Sequence, residues 1–189
     1  WSFHVGNLIL VAILATAMML LATAAGLGGI TALVVGVIVA VHPVFSEAVV
    51  SNVGKGDLLG ALIGVLGLLL AGRWFAVGLA VCLCGLLAKE SAVVFALALG
   101  ALALSERRWG RAAAVALVIT LWYGVRALVL DGAAAALSPI DNPLVELQGG
   151  PRVVAGLAIM GRYLSWWLAP QPIAPDYALG VNLADGTHA

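Results

Sequence analysis

The chain has 189 residues, 63% of them hydrophobic and 10% charged, with nine basic residues balancing nine acidic ones. So large an apolar surplus excludes an ordinary water-soluble domain and marks an integral membrane protein, while zero net charge argues against a nucleic-acid surface. The apolar runs are long and continuous, without the alternation of a porin strand, so the spanning elements are expected to be helices.

The first residues already belong to an apolar run, with no basic stretch or small-residue cleavage site ahead of it. The chain therefore reads as an internal piece of a larger protein. A helix needs about 20 apolar residues to cross the hydrocarbon core, and Val5 to Ala25 supplies them. Gly26, Gly28 and Gly29 break that run. A shorter one follows from Gly29 to Val41 and stops at Pro43, which lacks a backbone donor and disfavours helix in the residue before it.

Next comes the most polar stretch of the first half, VHPVFSEAVVSNVGKGDLLG, Val41 to Gly60. Pro43 is suited to start a short helix, Gly54 and Gly56 to end it, and Asp57 to cap the next. Glu47 and Ser51 would share one face of that short helix, opposite an apolar face, as in an amphipathic element lying at a membrane surface. His42, Glu47, Lys55 and Asp57 are candidate site residues.

Leu58 to Gly72, Trp74 to Ala88 and Ser91 to Leu104 are apolar but short. The first rises only about 23 Å against a hydrocarbon thickness of about 30 Å. Polar residues at their ends, Lys55, Asp57, Lys89 and Glu90, are therefore expected in a recess of the protein. Lys89 and Glu90 interrupt a long apolar stretch, where ionisable groups face a cavity or a partner. The plain alternative is a structural ion pair between helices. Cys82 and Cys84, two apart, point to nearly opposite sides of a helix and can neither bridge nor share a metal. They read as packing residues. Gly60 and Gly64 have the small-xxx-small spacing of a helix contact.

Ala112 to Leu130 is a full-length run carrying Arg126 four residues before its end, within snorkelling reach of the interface. Asp131 to Arg152 is a polar loop containing Asp141, Asn142 and Glu146. Val153 to Leu168 is a last apolar stretch with Arg162 deep within it, read as a span facing the bundle. The Pro-rich APQPIAPDY, ending in Asp176 and Tyr177, follows. Arg107, Arg108 and Arg111 are the densest basic cluster and place their loop in the cytoplasm. Counting spans from there puts Arg73 inside as well. It puts the Val41–Gly60 stretch, the Lys89–Glu90 turn and the Asp131–Arg152 loop outside. Trp74, Trp109, Trp122 and Trp166–Trp167 fall near span ends, as an interfacial aromatic belt does.

No metal-binding spacing, nucleophile elbow, phosphate loop or dinucleotide fingerprint is present, and no cofactor is evident. The residues alone thus describe an all-α polytopic transmembrane bundle of about seven apolar segments. It would carry an outward-facing polar cavity suited to an anionic substrate, in an enzyme or in a transporter.

Four segments in order, HPVFSEAVVSNVGKGDLL, LLAKESAVVF, the Asp141–Pro143 DNP and GRYLSWWLAPQPIAPDY, resemble bacterial relatives of the transmembrane O-mannosyltransferases. In animals that family carries a tail of tetratricopeptide repeats. The resemblance covers Val41 to Tyr177. It implies a GT-C-like fold over 1–181, with 182–189 a tail of unassigned structure. It also implies inverting transfer of a sugar from a polyprenyl-phosphate carrier to a protein or glycan acceptor, on the extracytoplasmic side of a bacterial inner membrane. An acidic base would deprotonate the acceptor hydroxyl, and cations would stabilise the departing lipid phosphate.

By this resemblance the substrate-binding residues are His42, Glu47, Lys55, Asp57, Lys89, Glu90, Asp141, Asn142, Arg162, Asp176 and Tyr177, with Arg126 added on its position in an apolar span. The base of that class sits in the first external loop and would lie upstream of Trp1, so this stretch alone is not expected to be active. Two other classes compete. A transporter or lipid flippase would use charged groups at interrupted helices, though the halves show no inverted repeat. A non-catalytic membrane scaffold for a repeat domain would need no reacting groups.

Overall fold

The computed structural model describes residues 2–50, 54–130, 144 and 147–168. Among these, every regular element is helical: α1 (Ser2–Ala24), α2 (Gly29–Val41), α3 (Phe45–Val50), α4 (Gly54–Ala71), α5 (Phe75–Ala88), a 3-10 turn (Glu90–Ala92), α6 (Val93–Ser105), α7 (Trp109–Val129) and α8 (Gly149–Leu168). The chain divides into two units, Trp1–Arg126 and Ala127–Ala189. α8 is the helix of the second.

Three helices are long and apolar enough to cross a membrane: α1 from His4, α4 and α7. α2, α5 and the Glu90–Ser105 stretch are apolar but shorter. α8 has 20 residues, yet it is not among the helices apolar enough to cross. Its sequence includes Arg152, Arg162 and Ser165 among the apolar residues. Val153–Leu168, the last of the expected apolar segments, is thus helical but outside the set that meets the length and hydropathy of a span.

In the first unit, α1 and α4 share one core. Val11, Leu14 and Ala17 meet Leu58, Leu62 and Val65, and Phe45, Ala48 and Val49 of α3 pack against them. α3 therefore has the apolar face its sequence foretold. A second core joins Ala71 of α4, Leu79 and Cys82 of α5, Ala96 and Leu99 of α6, and Val115 of α7. Cys82 is buried and Cys84 exposed, the opposite facing expected from their spacing. Leu117, Leu121, Val125 and Leu128 are left exposed along α7, an outward apolar stripe fit for lipid.

In lipid, helices gain little from hiding apolar groups from one another, so close backbone approach and van der Waals contact carry the association. The α4–α5 hairpin follows that rule. A Cβ on Gly67 would stand 2.5 Å from Cys82 Sγ and 2.9 Å from the Gly78 carbonyl oxygen, and one on Gly64 would overlap the Phe95 ring. The Gly60–Gly64 spacing thus marks a real contact, continued through Gly67 and answered on α5 by Gly78 and Gly85.

Two turns end helices in the same way. After α1, Gly26 takes φ +87°. Its N–H donates to the Thr23 carbonyl and that of Leu27 to the Ala22 carbonyl, the paired bonds of a left-handed helix cap. After α6, Arg107 holds φ +57°. Its N–H donates to the Leu104 carbonyl and that of Arg108 to the Ala103 carbonyl.

Candidate functional site

The antiparallel helices of the first unit bring the N-terminal end of α1, α3, the start of α4, the α5–α6 turn and the far part of α7 to one end. At that end α4 begins at Gly54, four residues before the apolar run. Gly54 and Gly56 therefore open α4 where they were expected to close α3. A side chain at Gly54 would overlap Ala48 of α3, so only glycine lets the two helices meet there. Asp57 is likewise no N-cap. It lies in the first turn of α4, where a carboxylate is favoured by the positive end of the helix.

That placement turns Asp57 toward the α5–α6 turn. Lys89 Nζ donates to Asp57 Oδ2 in an ion pair, with the two side chains 35% and 44% exposed. Lys89 itself is held by extended backbone between α5 and the 3-10 turn. The next residue points elsewhere: Arg126 Nη1 donates to Glu90 Oε2 at 2.9 Å. The Arg126 guanidinium also lies over the Trp122 ring, 5.6 Å from its centroid. Lys89 and Glu90 therefore form ion pairs between helices, as the plain alternative expected, with partners on α4 and α7 and not with each other. Trp122 sits within α7, away from the helix ends where an interfacial belt would put it, and serves as the shelf beneath Arg126.

His42 caps α2. Its N–H donates to the Ile38 carbonyl, its backbone is extended ahead of Pro43, and its Nδ1 accepts the Val44 N–H at 3.2 Å. Ser46 Oγ donates to the Pro43 carbonyl at 2.6 Å. The His42–Pro43 pair thus forms the tight turn that launches α3. Lys55 is exposed in the first turn of α4, and Glu47 falls on α3.

Arg162 is half-buried on α8 and Tyr163 exposed; both belong to the second unit. Asp141, Asn142, Asp176 and Tyr177 lie outside the described residues, as does the 182–189 tail.

Two residues outside the expected substrate-binding set hold this end together. Asn7, 1% exposed on α1, donates from Nδ2 to the Ala48 and Val49 carbonyls at 3.2 Å each. His4 Nδ1 lies 3.4 Å from the Val49 carbonyl oxygen. A six-residue helix has four terminal carbonyls without internal partners, and α1 supplies partners to two of them. The signal was available, since an Asn inside an apolar span needs a hydrogen-bonding reason to be there.

No protein-family model matches the chain, and no curated protein or solved structure matches it.

Proposed function

We propose that this chain is part of a membrane glycosyltransferase that moves a sugar, mannose-like, from a polyprenyl-phosphate carrier to a hydroxyl of a protein or glycan acceptor. It would work on the extracytoplasmic face of a bacterial inner membrane, at the end of the bundle that holds Asp57, Lys89, Glu90 and Arg126. One observation supports this reading above the rest. Two of the four segments that resemble transmembrane O-mannosyltransferases, HPVFSEAVVSNVGKGDLL and LLAKESAVVF, meet through the Lys89–Asp57 ion pair.

Lys89 and Arg126 each already hold a carboxylate. A donor phosphate would exchange with Asp57 for Lys89, or with Glu90 for Arg126, as it enters. Its departure charge would then be met by the same cation. The base that takes the acceptor proton is not assigned to a described residue.

The exchange gives the test. Binding of a radiolabelled polyprenyl-phosphate mannose to the full-length protein in proteoliposomes is measured for the wild type, Lys89→Met and Asp57→Asn. A charged hydrogen bond of about 1.5–3 kcal/mol predicts a loss of about 10- to 100-fold for Lys89→Met. Asp57→Asn, which frees the ammonium, should bind more tightly. Unchanged donor binding in a folded Lys89→Met variant, or no donor binding by the wild type, refutes the assignment.

The pairing also favours a second reading. Two ion pairs that tie α4 and α7 to the α5–α6 turn are sufficient for a non-catalytic membrane scaffold. Wild-type protein that neither binds the donor nor transfers the sugar, while the ion-pair variants lose only stability, supports that alternative.

A further inference from the structure

The opposite end of the first unit carries a different chemistry. The α4–α5 turn and the α6–α7 turn lie there together, because the Arg111 guanidinium of α7 stands over the Phe75 ring at the start of α5, 4.9 Å from its centroid. Arg73 stands over the adjoining Trp74, 5.3 Å from its centroid. Two guanidiniums from separate hairpins thus flank one aromatic dipeptide. Arg107 and Arg108 belong to the α6–α7 turn at the same end. Only Arg108 pairs with a carboxylate, that of Glu106 at 3.0 Å. Among the described residues, Arg73, Arg107 and Arg111 pair with none.

We propose that Arg73, Arg107 and Arg111 dock the phosphate headgroup of an anionic phospholipid in the leaflet at this end. The assignment is independent of the glycosyltransferase reading. Guanidinium groups are suited to phosphate because their planar forks offer several donors at once. Stacking on Trp74 and Phe75 orients two of them. The surroundings select a lipid over a soluble anion. Trp74 and Trp109 are 55% and 69% exposed, the placement of aromatic anchors at headgroup level. Below them Val77, Leu102 and Leu117 are exposed apolar surface for acyl chains.

The backbone adds a separate observation. The left-handed position that α1 fills with Gly26 is filled after α6 by Arg107. An L side chain enters that conformation at a cost that glycine escapes. Observed strain at one residue is a reason to look for a role of its side chain, and here the side chain adds a third unpaired charge to the cluster.

The test uses the purified full-length protein in detergent, with bound lipid counted by native mass spectrometry during titration with phosphatidylglycerol or phosphatidylcholine. The wild type should prefer phosphatidylglycerol. Arg73→Gln with Arg111→Gln should lower phosphatidylglycerol affinity by about 25-fold, about fivefold for each charge near an anionic surface, and leave phosphatidylcholine binding alone. Arg73→Lys with Arg111→Lys keeps the charge and should keep most of the preference, which separates lost binding from lost folding. Equal binding of the two lipids by the wild type, or undiminished preference in the glutamine variant, overturns the proposal. So does release of the bound lipid by millimolar inorganic phosphate, which would assign the cluster to a soluble anion.

Discussion

The two ends of the first unit use charge in opposite ways. At one end Lys89 and Arg126 are each matched to a carboxylate, and the pairs cross from the α5–α6 turn to α4 and to α7. At the other end four arginines, Arg73, Arg107, Arg108 and Arg111, face the single carboxylate of Glu106. The first arrangement fixes helices to one another. The second leaves charge available to the surroundings. The difference teaches that charge in an apolar chain has two uses, internal clamping and external contact, and that pairing tells them apart where composition does not. On the proposed reading the arginine-rich end would be the cytoplasmic one, since excess arginine is the pattern of such a face.

Both ends depend on the α4–α5 hairpin, and overfilling it should produce the largest effect. Gly67→Leu would drive a side chain into Cys82 Sγ and the Gly78 carbonyl. Overpacking costs typically 1–3 kcal/mol, and two backbones in contact put this site at about 3 kcal/mol. Thermal unfolding in detergent measures it. A fall in midpoint no larger than that from Gly110→Ala, where a side chain meets open space, would contradict the close approach.

The paired end is sharpened by Lys89→Met, which leaves Asp57 without its cation. Both side chains are more than a third exposed, so solvent screening reduces the penalty to about 1 kcal/mol. Adding Asp57→Asn should recover most of it, because the coupling belongs to the pair. A cycle with no coupling would remove the clamp from the account. Glu90→Gln should cost less, about 0.5 kcal/mol, since Glu90 is 59% exposed.

Arg107→Gly also gives a small change, and its sign is reversed. Relief of the left-handed backbone, about 1–2 kcal/mol, is partly offset by the added freedom of glycine in the unfolded chain, about 0.5–1 kcal/mol. The result should be a slightly raised unfolding midpoint together with weaker phosphatidylglycerol binding. A lowered midpoint would mean that the turn holds no strain.

Much of the helical layout was legible because each apolar run is bounded by glycine, proline or charge. Gly26 to Gly29, Pro43 and the Glu106–Arg108 turn break it where their backbone chemistry requires. The short helix after Pro43 was legible too, down to its apolar face. Partnership across helices was not. Lys89 and Asp57 are 32 residues apart in sequence, and their meeting depends on α4 starting at Gly54, which the glycines themselves disguised as a helix end. The same holds for Glu90 and Arg126, which join through a hairpin whose register no local pattern encodes. Asn7 inside an apolar span signals a need for a partner, but the partners of Asn7 and His4 are backbone carbonyls, which residue type does not point to.

The claim that most needs a direct measurement is that the two ends of the first unit face opposite sides of a membrane. Ser46 is exposed at the paired end and Arg108 at the arginine-rich end. Single Ser46→Cys and Arg108→Cys variants, in a background with Cys82→Ala and Cys84→Ala, are treated in intact cells with a membrane-impermeant thiol reagent, then again after permeabilisation. The account predicts labelling at position 46 in intact cells and at position 108 only after the membrane is opened. Labelling of both positions under the same condition, or of position 108 alone in intact cells, would contradict it.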